Sequence, residues 1–239
     1  MLSENINTVG LGHLTLNIET DTSVQGVLAC LNLNLPLFAK KQKGEIKMNE
    51  DGLTQRLCRF LNRNIGSFPF LFDKEDMEND KKGNSFRVDI GTYSQTETII
   101  VNDREFTADE TFFKIEAKRL SKLEKSRKRE YVIGREDKDG KYINSGGIER
   151  FKKGIHGKNL IHAALIGYVQ LYDFTYWHQS INGWILDLSK EKPTFWSDKE
   201  MLKNESFTTE LATYVSYHIR KQKGIKDEIK LNHFWIDLQ

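Results

Sequence analysis

Between Thr111 and Leu120 the chain reads TFFKIEAKRL, an apolar run that carries a glutamate and a lysine two residues apart. Residues of this kind favour a strand, and in a strand successive side chains point to opposite faces. Phe113, Ile115 and Ala117 therefore share one face, and Glu116 and Lys118 share the other. Two structures answer that pattern. One is a half-buried strand with a wet outer face; the other is a catalytic edge where the carboxylate holds a metal and the lysine attends a water. The tripeptide alone decides nothing, because Glu-x-Lys recurs at Glu45, Glu136 and Glu228, and Asp-x-Lys at Asp80 and Asp139. Those copies fall in polar loops, ahead of a helix or at the start of a terminal strand. Only Glu116–Lys118 lies in a long apolar strand that follows another strand bearing an acid.

That acid is Asp89, in FRVDIGTY. Alternation places Arg87 and Asp89 on one face and Phe86, Val88 and Ile90 on the other. A carboxylate in such a stretch must be paired, protonated or metal-bound, since an isolated buried charge is very costly. A salt bridge to Arg87 or Lys118 would satisfy it in a purely structural role. A third acid comes from the helix EDGLTQRLCRFLN, for which Asn49 is the expected cap. At about 100° per residue, Leu53, Leu57, Phe60 and Leu61 centre on a direction that also contains Glu50, with Asp51 on the flank. Glu50 thus leans toward the sheet, although the helix dipole alone also favours an acid there.

The 239 residues suit one large domain or a domain with an appendage. Residues 22–42 read as an N-terminal helix with Pro36 as a possible kink, so 1–45 form a helical extension and 46–239 the main domain. FDKEDMENDKKGNS reads as a polar loop; FRVDIGTY, TETIIVN and TFFKIEAKRL read as three strands. The segment from Lys122 to Asn144 is a charged connection, expected to be mobile. GGIERFKKGIHG gives a short helix, ALIGYVQ a strand, and Asp173–Leu188 a helix with Trp177, Ile181 and Ile185 on one stripe. ATYVSYHIRK and IKLNHFWIDL form a terminal antiparallel pair. The class is α/β, a mixed sheet with an αβββαβ core flanked by helices, plus the N-terminal helical extension and the C-terminal strands.

With 38% hydrophobic and 29% charged residues, the chain should be soluble and globular. No apolar run approaches the ~18 residues of a membrane helix. The opening residues lack the basic and apolar regions of a secretory signal, so the expected compartment is the cytoplasm. Cys30 and Cys58, flanked by apolar residues at helical spacing, read as core thiols. His218 and His233 match no metal spacing, and no phosphate loop, nucleophilic triad or zinc motif is present. The net charge of +2 selects no partner, but its distribution is uneven. Lys118, Arg119, Lys122, Lys125, Arg127, Lys128 and Arg129 are opposed only by Glu124. This run is either a solvated face or an attractive field beside the proposed chemistry.

Taken together, Glu50 in NEDGLTQRL, Asp89 in FRVDIG, Glu116 and Lys118 in KIEAKR, GGIERFKKGIHG and ALIGYVQ resemble the PD-(D/E)XK nuclease superfamily, the restriction endonuclease-like fold. The resemblance spans roughly residues 48–170, with Val88 where the family's label has proline. The GGIERF segment and the terminal strands are similar to bacterial restriction-like nucleases of anti-phage loci. The resemblance implies a Mg²⁺ ion, replaceable by Mn²⁺, held by Asp89, Glu116 and the Ala117 carbonyl, with Glu50 binding directly or through water. Lys118 would orient a metal-activated water and offset charge growing on the phosphate. The implied reaction is endonucleolytic hydrolysis of DNA leaving 5′-phosphate and 3′-hydroxyl ends, in restriction or anti-phage defence. Lys122, Lys125, Arg127, Lys128, Arg129 and Lys153 would meet the nucleic-acid backbone, with Arg150, Lys152 and His156 as further candidates. Gln170 would be a polar site residue at a strand end. Two antiparallel DNA strands suggest a homodimer, for which Val24, Val27, Leu28, Leu31 and Leu35, or Phe234 and Trp235, offer surfaces. An activating protein partner, such as an ATPase subunit, is compatible with this reading. The alternative is a catalytically inactive restriction-like fold that binds nucleic acid or a partner protein.

Overall fold

The computed structural model describes residues 22–78, 85–121, 127–220 and 228–239. Helices α1 (Thr22–Gln42) and α2 (Glu50–Arg63) come first, then strands β1 (Phe70–Met77) and β2 (Arg87–Ser94). A hairpin, β3 (Thr98–Val101) and β4 (Arg104–Thr107), precedes β5 (Phe113–Leu120). A smaller hairpin, β6 (Arg135–Glu136) and β7 (Tyr142–Ile143), leads into α3 (Gly147–Lys152), β8 (His162–Val169) and α4 (Phe174–Glu191). The chain closes with β9 (Lys203–Phe207), β10 (Leu211–Ile219) and β11 (Glu228–Asp237).

Seven strands form one mixed sheet in the order β1-β2-β5-β8-β11-β10-β9. β1, β2 and β5 run antiparallel, and β8 is parallel to β5. β11 is parallel to β8, and the remaining pairs return to antiparallel. β8 shows how the sheet divides the core. Ala164, Ile166 and Tyr168 pack in the cluster that includes α1 and α2, while Ala163, Leu165 and Val169 pack in the one that includes α4. A strand buried on both faces reads as a continuous apolar run, as ALIGYV does.

The class is α/β as expected, but several elements differ from the sequence reading. The segment taken as a polar loop from Phe72 contains most of strand β1. Phe70 and Phe72 enter the core, and Asp76 is tolerated inside because Lys114 lies 3.0 Å from it and the Tyr93 hydroxyl donates to it. The TETIIVN strand is not part of the main sheet. Among the described residues it pairs only with β4, so the antiparallel triplet is β1, β2 and β5. The terminal pair is antiparallel as expected and extends the sheet beyond β8, with β11 next to β8, and β10 and β9 outside it. Residues 127–144 are built into the fold: Tyr131, Val132 and Ile133 are buried, while Lys122 and Lys125 lie outside the described residues.

α1 runs unbroken through Pro36 and is no separate appendage. Val24, Val27, Leu31 and Leu35 are at most 1% exposed and share one cluster with α2 and the sheet. Contrary to the expectation from apolar runs, α1 is by length and composition able to cross a membrane; here 44% of the qualifying window is buried in the protein. Leu28 packs against the same cluster, and Phe234 and Trp235 are buried in the sheet. The surfaces expected to form a homodimer therefore cover the core instead. Cys30 and Cys58 are free buried thiols, and burial pushes Cys58 up to about 11, as suits inert core residues.

Candidate active site

Two ladders falter at one place. β2 and β5 are in register from Thr92–Phe113 to Ile90–Ile115, after which the pairing stops although both strands continue. The β1–β2 register also skips Glu75 opposite Asp89, and Glu75 takes a φ of 61°. The strict alternation expected through this stretch breaks there, since Val88 and Ile90 pack in different clusters. Asp89 fills the gap: its Oδ2 accepts from the Ala117 N–H at 2.7 Å, replacing a ladder acceptor with a carboxylate. The salt bridge considered for Arg87 goes to Glu75 instead, at 2.9 Å.

Glu50 reaches the same point from the start of α2. Asn49 caps that helix as expected, its Oδ1 accepting from Gly52 N at 2.8 Å. Glu50 Oε2 accepts from the Arg119 N–H at 2.9 Å, and its Oε1 lies 3.2 Å from Lys118 Nζ. Lys118 Nζ in turn lies 2.9 Å from Oε1 of Glu116, which is fully buried. Gln170 braces this arrangement. Its Nε2 donates to the carbonyls of Met48 and Glu45, and its Oε1 accepts from Arg119 Nε at 2.9 Å. It ties the approach to α2 onto the end of β5.

The opposite side is closed by α3. Its first N–H groups donate to the carbonyls of Glu130, Tyr131 and Val132, which fixes the helix start against the preceding segment. A Cβ at Gly147 would meet the Leu165 side chain at 2.8 Å and the Tyr131 carbonyl at 3.0 Å, so any larger residue here would make its neighbours shift. From α3, Arg150 Nη1 donates to Glu116 Oε1 at 2.7 Å while its Nε donates to the Asn144 carbonyl at 2.7 Å. His156 Nε2 lies 3.4 Å from Glu116 Oε2, and its Nδ1 lies 3.0 Å from Glu78. Sequence reasoning had these two residues only as phosphate ligands. The short helix was visible, but nothing in one dimension pointed its side chains at Glu116.

The charges are strongly coupled. Burial would raise the Glu116 carboxyl, but Lys118, His156 and Arg150 hold it down at about 2. Burial would discharge Lys118, yet Glu116, Glu50 and Asp89 outweigh it and keep the ammonium protonated well above its ordinary value. Asp89 bears the crowding. Burial and the neighbouring Glu116 push its pKa up to about 7, against the pull of Lys118 and the Ala117 N–H.

Glu50, Asp89, Lys118, Arg87, Arg127 and Arg150 line one open cleft of about 440 Å³. Among the described residues, no three His, Cys, Asp or Glu side chains converge closely enough to hold a metal ion. The donor types nonetheless suit a hard cation. Asp89 is crowded by other carboxylates, and Glu116 Oε2 is buried without a hydrogen-bond partner. Lys118 links the sequence-expected acids Glu50 and Glu116, Asp89 accepts from the N–H of Ala117 between Glu116 and Lys118, and Glu116 Oε1 is already taken by two cations.

The basic residues divide. Arg127 lines the cleft while bonded to Glu130 at 2.7 Å, and Lys128 is exposed. Arg129 is instead drawn to α4, 3.1 Å from Asp187. Lys153 is held by Glu149 at 2.9 Å and Asn144 at 2.8 Å. Lys152 is buried against Glu200. These three side chains already have partners within the fold. No family model, curated protein or solved structure matches the chain.

Proposed function

We propose that the chain is a Mg²⁺-dependent endonuclease that hydrolyses DNA phosphodiester bonds on a restriction endonuclease-like core, acting in cytoplasmic restriction or anti-phage defence. The observation carrying this reading is the linkage of Glu50, Asp89, Glu116 and Lys118, from one helix start and two diverging strands, beside an open cleft that Glu50, Asp89 and Lys118 line while Glu116 is buried. The order α2, β1, β2, β5, α3, β8, with an antiparallel triplet followed by a parallel strand, supports it.

Mg²⁺, or Mn²⁺ in its place, would supply Lewis acidity and a more acidic bound water when present. Asp89, Glu116 and the Ala117 carbonyl are the residues that would hold it, with Glu50 beside them. Lys118 is a fixed cation in a partly dry site, so it donates to a phosphate oxygen and stabilises charge developing there. The same charge rules it out as the general base. Arg127 and Arg87 at the cleft draw the phosphate backbone in.

One observation favours a second reading. Arg150 and Lys118 both occupy Glu116 Oε1, as in a site that binds DNA without cutting it. Incubating purified protein with supercoiled plasmid, Mg²⁺ and an EDTA control separates the two. Metal-dependent nicking or linearisation that disappears in Glu116→Gln supports the nuclease. A gel shift without cleavage in either Mg²⁺ or Mn²⁺ points to the binding module, and neither result would leave both readings without support.

A further inference from the structure

We infer that Arg150 is a ligand for the substrate's phosphodiester group whose resting place is Glu116, so that metal and nucleic acid load the site cooperatively. This rests on the nuclease reading above and names how that site is regulated.

Lys118 already pairs with Glu116 and Glu50, at 2.9 and 3.2 Å. Arg150 adds a second cation to the same Glu116 oxygen, at 2.7 Å, while His156 stands 3.4 Å from the other. A divalent cation approaching Glu116 Oε1 therefore meets two positive charges, Lys118 and Arg150, already on that oxygen. Repulsion between like charges in a poorly solvated site opposes its entry. Yet the Arg150 side chain is 21% exposed and lines the cleft beside Asp89, Lys118 and Arg127, where a phosphate would lie. Its Nε is anchored on the Asn144 carbonyl, so the guanidinium can turn about that anchor and stay at the cleft.

The two non-bridging oxygens of a phosphodiester offer the guanidinium a partner as good as the carboxylate oxygen it leaves. When Arg150 turns to the phosphate, Glu116 Oε1 is released toward the metal donors. Because coupling is reciprocal, DNA must then tighten metal binding by the same factor by which metal tightens DNA binding.

The test is Mn²⁺ binding, read from the free-ion electron paramagnetic resonance signal of the full chain. It is run with and without a short duplex whose phosphorothioate backbone resists cleavage. Without duplex, Arg150→Gln should bind Mn²⁺ roughly 10- to 100-fold more tightly than wild type, the range expected for removing one charge-assisted hydrogen bond. Arg87→Gln removes a charge from the same cleft without touching Glu116, and should change the affinity by no more than about twofold. Duplex should tighten Mn²⁺ binding to wild type and add little to Arg150→Gln. Arg150→Lys, which keeps the charge but shortens the reach, should fall between them and serves if the glutamine variant does not fold.

Equal Mn²⁺ affinity in wild type and both Arg150 variants would overturn the inference while leaving the nuclease reading intact, since the ion still binds. A duplex effect that survives in Arg150→Gln would do the same. No Mn²⁺ binding by any variant, with or without duplex, would overturn the inference together with the reading beneath it.

Discussion

Glu116 and Glu200 are both buried carboxylates, each held by a lysine and each near a histidine. Helix α3 serves both, sending Arg150 to Glu116 and Lys152 to Glu200. Around Glu200 the acid is paired with Lys152, and the buried Arg220 nearby is bonded to the carbonyls of Phe151, Gly157, Lys158 and Leu160. Lys152 also donates to the Ile219 carbonyl and lies over the rings of Phe195 and Trp196. Beyond it, His218 and His233 both bond Ser216 at 2.7 Å, and His233 meets the Tyr131 hydroxyl at 2.8 Å. Burial keeps both imidazoles below their ordinary pKa, hence uncharged near neutrality. Around Glu116 three carboxylates share Lys118 and Arg150, burial and Glu116 push the Asp89 pKa up to about 7, and a cleft opens onto Glu50 and Asp89. Burial and residue type are alike in the two clusters. Charge balance and access set the candidate site apart from the structural network.

The strongest challenge to that distinction is a pair of lysine variants. Lys118→Ala should lower cleavage per folded molecule by roughly 10²–10⁴-fold, the range for losing a charge-stabilising or proton-handling group. Lys152→Met should leave cleavage per folded molecule unchanged and cost about 3–5 kcal/mol of stability, because Glu200 loses its buried partner. Circular dichroism melts beside plasmid cleavage rates measure both. Wild-type cleavage by Lys118→Ala would dissolve the contrast.

A smaller effect should appear in the pH dependence of stability, measured by urea denaturation in EDTA. Folding raises the Asp89 pKa from 3.8 to about 7, with Glu116, Lys118 and Glu50 as the facing charges. Between those pH values the folded chain binds more protons than the unfolded one, so this group's contribution to stability falls as pH rises and levels off above about 7. Asp89→Asn removes that loss. It should match wild type near pH 4 and exceed it near pH 8 by on the order of a few kcal/mol. A variant less stable than wild type at pH 8 would mean that the carboxylate is not crowded.

The smallest expected change sharpens the division among the basic residues. Replacing Arg127 and Lys128 with Gln should flatten the log–log salt dependence of DNA affinity by about 0.9 for each phosphate that is no longer neutralised. Replacing Arg129 and Lys153, which are tied to α4 and to Glu149, should leave the slope nearly as it was. Equal effects from both pairs would return the whole run to a nonspecific field.

Local physics was readable along the chain. The period of two in KIEAK placed Glu116 and Lys118 on one face, the helical period aimed Glu50 at the sheet, and Asn49 announced the start of α2. Each depends only on neighbours within a turn of helix or a few strand residues. Strand β1 was hidden because Asp73, Lys74, Glu75 and Asp76 read as solvent-seeking, and what makes Asp76 acceptable inside is Lys114 and Tyr93, far along the chain. The insertion of β11 between β8 and β10, and the use of α1 as core, likewise depend on which apolar faces remain to be covered. The candidate site follows the same division. Its acids and lysine could be named from the sequence, because alternation and helical spacing decide where side chains point. The closure of Glu116 by Arg150 and His156, and the crowding that lifts Asp89, came only with the tertiary structure. Coulomb energy and desolvation depend on distances between segments that no local period encodes.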